Sequence, residues 1–146
     1  MIKIQKFTTG SAMQDTVQQQ VVNFLYTSLE EYGDEKKDIN KAIDFALNKN
    51  GITGGIVLVA YDADAIVGAV VLNETGMGGY IPENILVYIA TDPAQRGKGI
   101  GKKLMQAAID SANGDIALHV EPENPAKKLY EKLGFTNKYL EMRLKK

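Results

Sequence analysis

Several residue types that define whole classes of functional site are missing from this chain or nearly so. Among its 146 residues it has no cysteine and one histidine, His119. Disulfides and a thiolate nucleophile are therefore excluded, and we expect no metal site because the commonest zinc ligands are lacking. An excess of charge of one sign is missing too. The net charge of −1 gives no electrostatic basis for binding nucleic acid or an anionic membrane.

Long apolar runs are also absent. Runs such as Ile56–Tyr61 and Ala69–Leu72 have the length of strands and are far too short to cross a bilayer. The first residues, Met1–Lys6, lack the apolar stretch of a signal peptide. Since this chain length is close to the commonest size of one domain, we expect residues 1–146 to form a single cytoplasmic domain.

The most informative segment is 85–105, where an apolar strand leads through a short loop into a helix. Gly97, Gly99 and Gly101 leave out side chains where a ligand would approach the backbone closely. The start of the helix adds unpaired N–H groups and the positive end of the helix dipole. Four basic residues surround the same loop: Arg96, Lys98, Lys102 and Lys103. The combination predicts an anion site of the kind that binds a pyrophosphate.

Two common phosphate-binding loops do not fit this segment. A Walker A loop requires Gly-Lys followed by Ser or Thr, whereas Gly101-Lys102 is followed by Lys103, which has no hydroxyl for magnesium. A dinucleotide fingerprint requires G-x-G-x-x-G, whereas the spacing here is G-x-G-x-G. A nucleotide-binding domain is therefore disfavoured.

The loop instead resembles the signature of the GNAT superfamily of acetyl-CoA-dependent N-acetyltransferases, Gln/Arg-x-x-Gly-x-Gly/Ala between a strand and a helix. Arg96, Gly99 and Gly101 match its three fixed positions. Residues 124–135 are similar to a second family element, Asn followed by Ala-x-x-x-Tyr-Glu-Lys-Leu-Gly-Phe. The resemblance covers residues 52–144 well and the N-terminal third only in general layout.

Hydrophobic periodicity and turn signals predict the element order β-αα-βββ-α-β-α-β. The predicted strands are Ile2–Phe7, Gly55–Tyr61, Ala65–Leu72, Asn84–Thr91, Ile116–Val120 and Tyr139–Leu144. Three of the predicted helices are Asp15–Leu29, Gly99–Ala112 and Asn124–Leu133, the first of them followed by a stop signal at Gly33. The fourth begins after an N-cap at Asp38 and is ended by Asn50-Gly51. This order predicts the α+β class, as a three-layer α/β/α sandwich around a central mixed, mostly antiparallel sheet. It is also the GNAT layout.

The resemblance implies acetyl-CoA as co-substrate, bound without a metal. In the family, the strand before the anion loop separates from its neighbour, and its backbone amides hold the pantetheine arm. By position this implicates Ile89, Ala90 and Thr91. The pyrophosphate would lie on the loop residues, which are Arg96, Gly97, Lys98, Gly99, Ile100, Gly101 and Lys102.

Two residues of the second element carry further expectations. Tyr130 matches the family tyrosine that protonates the departing thiolate, and its hydroxyl is a donor at pH 7 because its ordinary pKa is near 10. The alternative is that Tyr130 only packs under its helix. Asn124 stands six residues before Tyr130 instead of the usual seven. It is therefore expected either to cap the helix, to contact the cofactor, or to do both.

The general base is not indicated by a direct match, because Ile85 occupies the position of the family's glutamate. Glu83 is our candidate, since regular alternation would put it on the same face as Ile85, Val87 and Ile89. Weaker alternatives are Glu74, Asp92 and an ordered water chain. For His119 we expect a structural role, because a single histidine on a strand without a partner is seldom functional.

The resemblance implies transfer of an acetyl group from acetyl-CoA to a primary amine of a small molecule or peptide by direct attack. The alternative is a non-catalytic acyl-CoA-binding or regulatory module on the same fold, which the missing glutamate favours and Tyr130 disfavours. No residue identifies the acceptor, and both a monomer and a homodimer are compatible with the sequence. An acidic group could attract a cationic amine or form an ordinary solvated surface: Glu30, Glu31, Asp34 and Glu35.

Overall fold

A mixed β-sheet with helices on both faces organises the part of the chain that the computed structural model describes, residues 1–11, 13–49, 51 and 54–146. The strands are β1 Ile2–Phe7, β2 Gly55–Asp62, β3 Ala65–Glu74, β4 Asn84–Thr91 and β5 Ile116–Leu118. The helices are α1 Asp15–Leu29, α2 Lys36–Ala46, α3 Ile100–Ser111 and α4 Ala126–Lys132. Short 3-10 turns follow α1 at Glu30–Tyr32 and β4 at Pro93–Gln95.

The strands lie in chain order, β1-β2-β3-β4-β5, antiparallel throughout except for the parallel pair β4 and β5. Two apolar cores cover the two faces of the sheet. Leu25 of α1 and Ile43 of α2 are fully buried on one face, and Leu104 of α3 is fully buried on the other. The α+β sandwich predicted from the sequence is therefore confirmed.

Strand β4 changes register at its centre. Val71 of β3 pairs with Tyr88 and Leu72 pairs with Leu86, so that Val87 is an extra residue in β4. A bulge of this kind interrupts the regular alternation of side chains. Accordingly, Leu86 packs into the core under α3, whereas Tyr88, two residues later, packs into the core under α1 and α2.

Strand β5 pairs with β4 over three residues only, Asn84 to Leu86. Beyond that point residues 87–91 of β4 have no strand neighbour on this side within the described chain. The two parallel strands thus part at the bulge. The backbone N–H and C=O groups along the freed edge are available to another partner.

Most predicted elements agree with the structure, and β1, α1 and β4 have the predicted bounds. The predicted strand Tyr139–Leu144 is wrong, since residues 140–146 contain no regular element and their side chains are exposed. Alternation of apolar and polar side chains is typical of a strand, but it does not show that a neighbouring strand is available for backbone pairing. The predicted cap at Asp38 is also wrong, because α2 begins two residues earlier, at Lys36. The predicted helix end at Asn50 falls outside the described residues.

None of the described helices has the length and apolar character needed to span a bilayer.

Close packing of β2 on β3 predicts that replacing Gly55 by any larger residue destabilises the fold. A Cβ atom at Gly55 would overlap the carbonyl oxygen of Leu72, which belongs to the paired backbone and cannot move aside. The matched control is the neighbouring Gly54, where a Cβ would meet only the flexible Glu74 carboxylate, at 3.3 Å. Gly55→Ala should lower the free energy of unfolding by about 1–3 kcal/mol or more. Gly54→Ala should change it by less than about 0.5 kcal/mol. Urea denaturation followed by circular dichroism measures both, and equal effects would contradict the pairing described.

Candidate functional site

The loop between β4 and α3 has the backbone of an anion site. Gly97 and Gly99 lie in the left-handed region, with φ of 84° and 78°, and no heavy atom lies within 4 Å of where a Cβ would be. Gly99 is the N-cap of α3, and no side chain caps this helix. The first N–H groups of α3 therefore lack helical partners, and the space beside Gly97 and Gly99 is open, which suits a bound anion.

The basic side chains around this loop have different roles. Arg96 Nη2 donates to the carbonyl oxygen of Ser28 at 3.4 Å and to Glu30 Oε1 at 3.3 Å, so it ties the loop to the end of α1. Lys98 Nζ donates to Gln95 Oε1 at 2.9 Å. Lys102 and Lys103 are exposed and have no partner within the described chain. These two lysines at the helix start supply the available positive charge.

The freed edge of β4 leads directly into this loop. Ile89, Ala90 and Thr91, the residues predicted to hold a pantetheine arm, are its last three residues. A Cβ at Gly101 would lie 3.7 Å from Thr91 Cγ2 and 3.5 Å from Leu129 Cδ2. The end of β4, the first turn of α3 and helix α4 therefore lie next to one another in the structure. The freed edge of β4 ends at this point.

Tyr130 on α4 is 7% exposed, and its ring lies 6.1 Å from the ring of Phe135. Its hydroxyl has no hydrogen-bond partner within the described chain. Burial raises the pKa of Tyr130 to about 12, because ionisation would place a charge in an apolar environment. The hydroxyl therefore stays protonated at neutral pH and can donate a hydrogen bond to a ligand.

Asn124 caps the helix that carries Tyr130. Its Oδ1 accepts from the backbone N–H of Ala126 at 2.9 Å, and its carbonyl oxygen accepts from Lys127 at 3.1 Å. The capping role considered from the sequence is thus observed.

Acidic side chains meet where the α1–α2 connection approaches the segment after β5. The pKa of Tyr32 is raised, first by partial desolvation and then by the negative charges of four nearby carboxylates: Glu31, Glu121, Glu123 and Glu30. Tyr88 of β4 donates to Asp34 Oδ2 at 2.5 Å, and burial followed by this contact raises the pKa of Tyr88 well above 10. An open cleft of about 800 Å³ beside these residues is lined by Tyr26, Thr27, Glu30, Gly33, Asp34, Glu35, Lys37 and Asp38.

The sequence did not indicate Tyr88, Glu121 or Glu123. Tyr88 occurs within an apolar run, and nothing in its local pattern marks the bulge that turns it toward Asp34. The two glutamates lie about ninety residues from Tyr32 in the chain. Only the tertiary fold brings them together.

Glu83, the candidate base, lies before β4 at the end opposite the anion loop. The alternation used to place it on the face of Ile89 is wrong, because the bulge at Val87 reverses the faces between them. Glu83 Oε1 accepts from the backbone N–H of Asp115 at 3.0 Å, and this bond lowers the pKa of the carboxyl. With Glu74, Glu83 lines a second cleft of about 300 Å³ at that end.

The other candidates for a base or a metal ligand are placed less favourably. Asp92 Oδ1 accepts from the N–H of Ala94 at 3.0 Å and so caps a 3-10 turn. His119 is exposed just after β5. Within the described residues no group of three histidine, aspartate or glutamate side chains is placed to hold a metal ion.

Comparison with known proteins gives a family and partial relatives. The family model of the GNAT acetyltransferase domain matches residues 53–137, more than half of the chain. A mycothiol acetyltransferase of Catenulispora acidiphila is 36% identical over 62 residues, covering 39% of this chain and 20% of that protein. The N-alpha-acetyltransferase 30 of Schizosaccharomyces pombe is 34% identical over 82 residues, covering 53% and 55%. The matches thus span about a fifth and about half of these two relatives.

Solved structures share the fold over nearly the whole chain. PH1933 from Pyrococcus horikoshii superposes with a TM-score of 0.71 at 29% identity, covering 97% of this chain and 93% of that one. The aminoglycoside N-acetyltransferase AAC(6')-Iy, solved in complex with CoA, has a TM-score of 0.70 at 17% identity, covering 100% and 96%. At that identity the second likeness shows the fold alone.

Proposed function

Because the chain belongs to the GNAT acetyltransferase family, we propose that it transfers the acetyl group of acetyl-CoA to a primary amine of a small molecule or peptide. One observation carries the proposal. The freed backbone edge of β4 runs directly into an uncapped helix start lined by left-handed glycines. An extended amide chain that ends in a pyrophosphate has the hydrogen-bonding groups and the charge that suit these two neighbouring features.

In this proposal the pantetheine arm lies along residues 89–91 and the pyrophosphate on the N–H groups of residues 97–102. Lys102 and Lys103 add charge attraction without needing a fixed geometry. Arg96 contributes from the side, since its guanidinium already bonds the end of α1. The solved CoA complex of a protein with this fold supports the choice of ligand.

The acidic surface around Tyr32 supports an amine as the acceptor. An alkyl amine is a cation at neutral pH, and clustered carboxylates raise its local concentration. Glu30 lines the cleft and Glu31 follows it in the chain, while Glu121 and Glu123 follow β5, the strand that parts from β4. The acceptor would then approach from the side of these carboxylates.

The reaction requires the neutral form of the amine. Near pH 7 only about one alkyl amine in a few thousand is neutral, given an ordinary pKa near 10.4. Its nitrogen attacks the thioester carbonyl, a C–N bond forms, and the C–S bond breaks. The hydroxyl of Tyr130 donates its proton to the departing thiolate, and the proton lost by the amine passes to water. Water then returns a proton to the Tyr130 phenolate, whose raised pKa favours this step. We propose that Glu83 assists only through water, because its carboxylate is held by Asp115 and its pKa is lowered.

Release of the CoA thiol from acetyl-CoA in the presence of different amines tests the function itself. The panel should contain small cationic amines and peptides with a free N-terminus. We expect release with at least one of them and a faster rate at low ionic strength, since the acidic surface acts over a Debye length. If no amine stimulated release while CoA still bound, the non-catalytic acyl-CoA-binding alternative would replace the proposal.

The cofactor site is tested by Gly99→Val. A branched side chain at this position would occupy the space where the pyrophosphate lies, so affinity for CoA should fall by more than about tenfold. The matched control is Gly51→Val, because Gly51 has nearly the same φ, 79°, and the same empty surroundings, away from the loop. Both variants carry the same backbone strain, and only the first should lose affinity by calorimetry. Equal affinities would show that the phosphate lies elsewhere.

The role of Tyr130 is tested by Tyr130→Phe, which removes one hydroxyl and almost no volume. If the hydroxyl stabilises the departing thiolate, kcat should fall by about 10²–10³-fold, with an equal fall in kcat/KM. The control is Tyr139→Phe, since Tyr139 is 79% exposed. A Tyr130→Phe enzyme that kept more than half of the wild-type kcat would remove Tyr130 from the mechanism.

Glu83→Gln separates direct from water-mediated proton transfer. We expect kcat/KM to fall by less than about tenfold and to keep rising with pH as more amine becomes neutral, because the proton leaves to water. A fall of about 10²-fold or more at pH 7 would instead identify Glu83 as the direct base. Glu74→Gln, which changes a carboxylate of the same cleft, is the control.

A further inference from the structure

The second cleft, of about 300 Å³, lies at the end of the sheet opposite the glycine loop, where the last turn of α3 meets the end of β3 and the start of β4. Glu74 of β3 pairs directly with Asn84 of β4, so the two side chains lie on one face of the sheet. Ile56 and Met77 add apolar surface to the cleft. Its volume is enough for a small organic molecule.

Glu83 is held in the wall of this cleft by groups that favour its charged form. Its Oε1 accepts from the backbone N–H of Asp115 at 3.0 Å, and this bond lowers the pKa of the carboxyl. A Cβ at Gly114 would lie only 2.5 Å from Glu83 Cδ, so the glycine leaves room for the carboxyl group. Neither Glu83 nor Glu74 forms an ion pair within the described chain. The cleft therefore carries two carboxylates that no cation of the described chain neutralises.

Asn84 gives an independent indication of a ligand. It is 3% exposed, and its Nδ2 donates to the carbonyl oxygens of Asn113 at 2.8 Å and Asp115 at 3.3 Å. These two bonds establish which end of the amide is the nitrogen. The amide oxygen accepts no hydrogen bond from the described residues, and it is not sealed off as the unpaired Oδ1 of Asn73 is. A nearly buried acceptor without a donor is costly, so a donor from outside the chain would stabilise it.

The end of α3 adds to the negative potential of the cleft. Its last carbonyl groups lack helical partners, and its last turn carries no basic side chain. The site therefore attracts a cation. A metal ion suits it poorly, since the described chain places no three histidine, aspartate or glutamate side chains around one point. A primary ammonium group has three N–H donors, which match two carboxylates and one amide oxygen.

We propose that this cleft is a second ligand site, which binds a small molecule carrying a primary ammonium group on a short alkyl chain. The ammonium group donates to Glu74, Glu83 and the amide oxygen of Asn84, and the alkyl chain contacts Ile56 and Met77. This site is separate from the proposed acetyl-transfer site, because the glycine loop follows the other end of β4. Binding here requires no acetyl-CoA.

Titration with n-butylammonium chloride at pH 7, followed in the ¹H–¹⁵N spectrum without acetyl-CoA, tests this site. We expect saturable changes in the side-chain amide of Asn84 and in the backbone amides of Met77, Asn113 and Asp115. n-Butanol has the chain without the charge, and tetramethylammonium has the charge without N–H donors. Both should bind at least about tenfold more weakly, because each lacks charge-assisted hydrogen bonds.

Charge-removing variants assign the binding to the two carboxylates. Glu74→Gln and Glu83→Gln should each weaken binding of butylammonium by at least about fivefold. The matched control is Asp64→Asn, which removes the same charge from the exposed turn between β2 and β3 and should change affinity by less than about twofold.

Three results would overturn the proposal. The first is butylammonium binding with no change at the four named residues, including changes confined to the surroundings of Asp34, which would report the acceptor cleft alone. The second is equal affinity of the two glutamine variants and the Asp64→Asn control. The third is calcium chloride producing the same changes at lower concentration, because the cleft would then hold a metal ion. Failure of every amine to release the CoA thiol would overturn the proposed function and leave these spectral changes unaffected.

Discussion

The parting of β4 from β5 is the feature on which the rest of the site depends. Pairing continues through Leu86 and stops at the bulge of Val87, so the second half of β4 has one free edge. An edge without a strand partner is usually a liability. Here the strand is covered by α1 on one face and by α3 on the other, and it ends at the glycine loop. The same bulge turns Tyr88 toward the α1–α2 connection, where it bonds Asp34.

Basic and acidic side chains both occur near this opening. Lys102 and Lys103 are exposed at the start of α3, whereas carboxylates of the 3-10 turn after α1 and of the segment after β5 surround Tyr32. Arg96 links the glycine loop to the end of α1 through its contacts with Ser28 and Glu30. In the proposed function the lysines would attract an anionic cofactor and the carboxylates a cationic acceptor.

Local features of this protein could be predicted from its sequence, whereas features that need a distant partner could not. The bounds of β1, α1 and β4 follow from periodicity, and the glycine loop follows from its own spacing. The bulge at Val87 was not predicted, because it appears only as a register difference between β3 and β4. The proximity of Tyr32 to Glu121 and Glu123 was not predicted, because these residues lie in segments far apart in the chain. The predicted strand at residues 139–144 failed for the same reason, since alternation does not provide a neighbouring edge.

Amide chemical shifts during a titration with CoA test the central claim most directly. The account expects the largest changes in the ¹H–¹⁵N spectrum at residues 89–91 and 97–102, because their N–H groups would gain new acceptors. Amides of β1 and of the turn between β2 and β3 should barely move. Changes concentrated instead around Glu74, Met77 and Asn113, with the glycine loop unaffected, would place the cofactor in the second cleft and contradict the account.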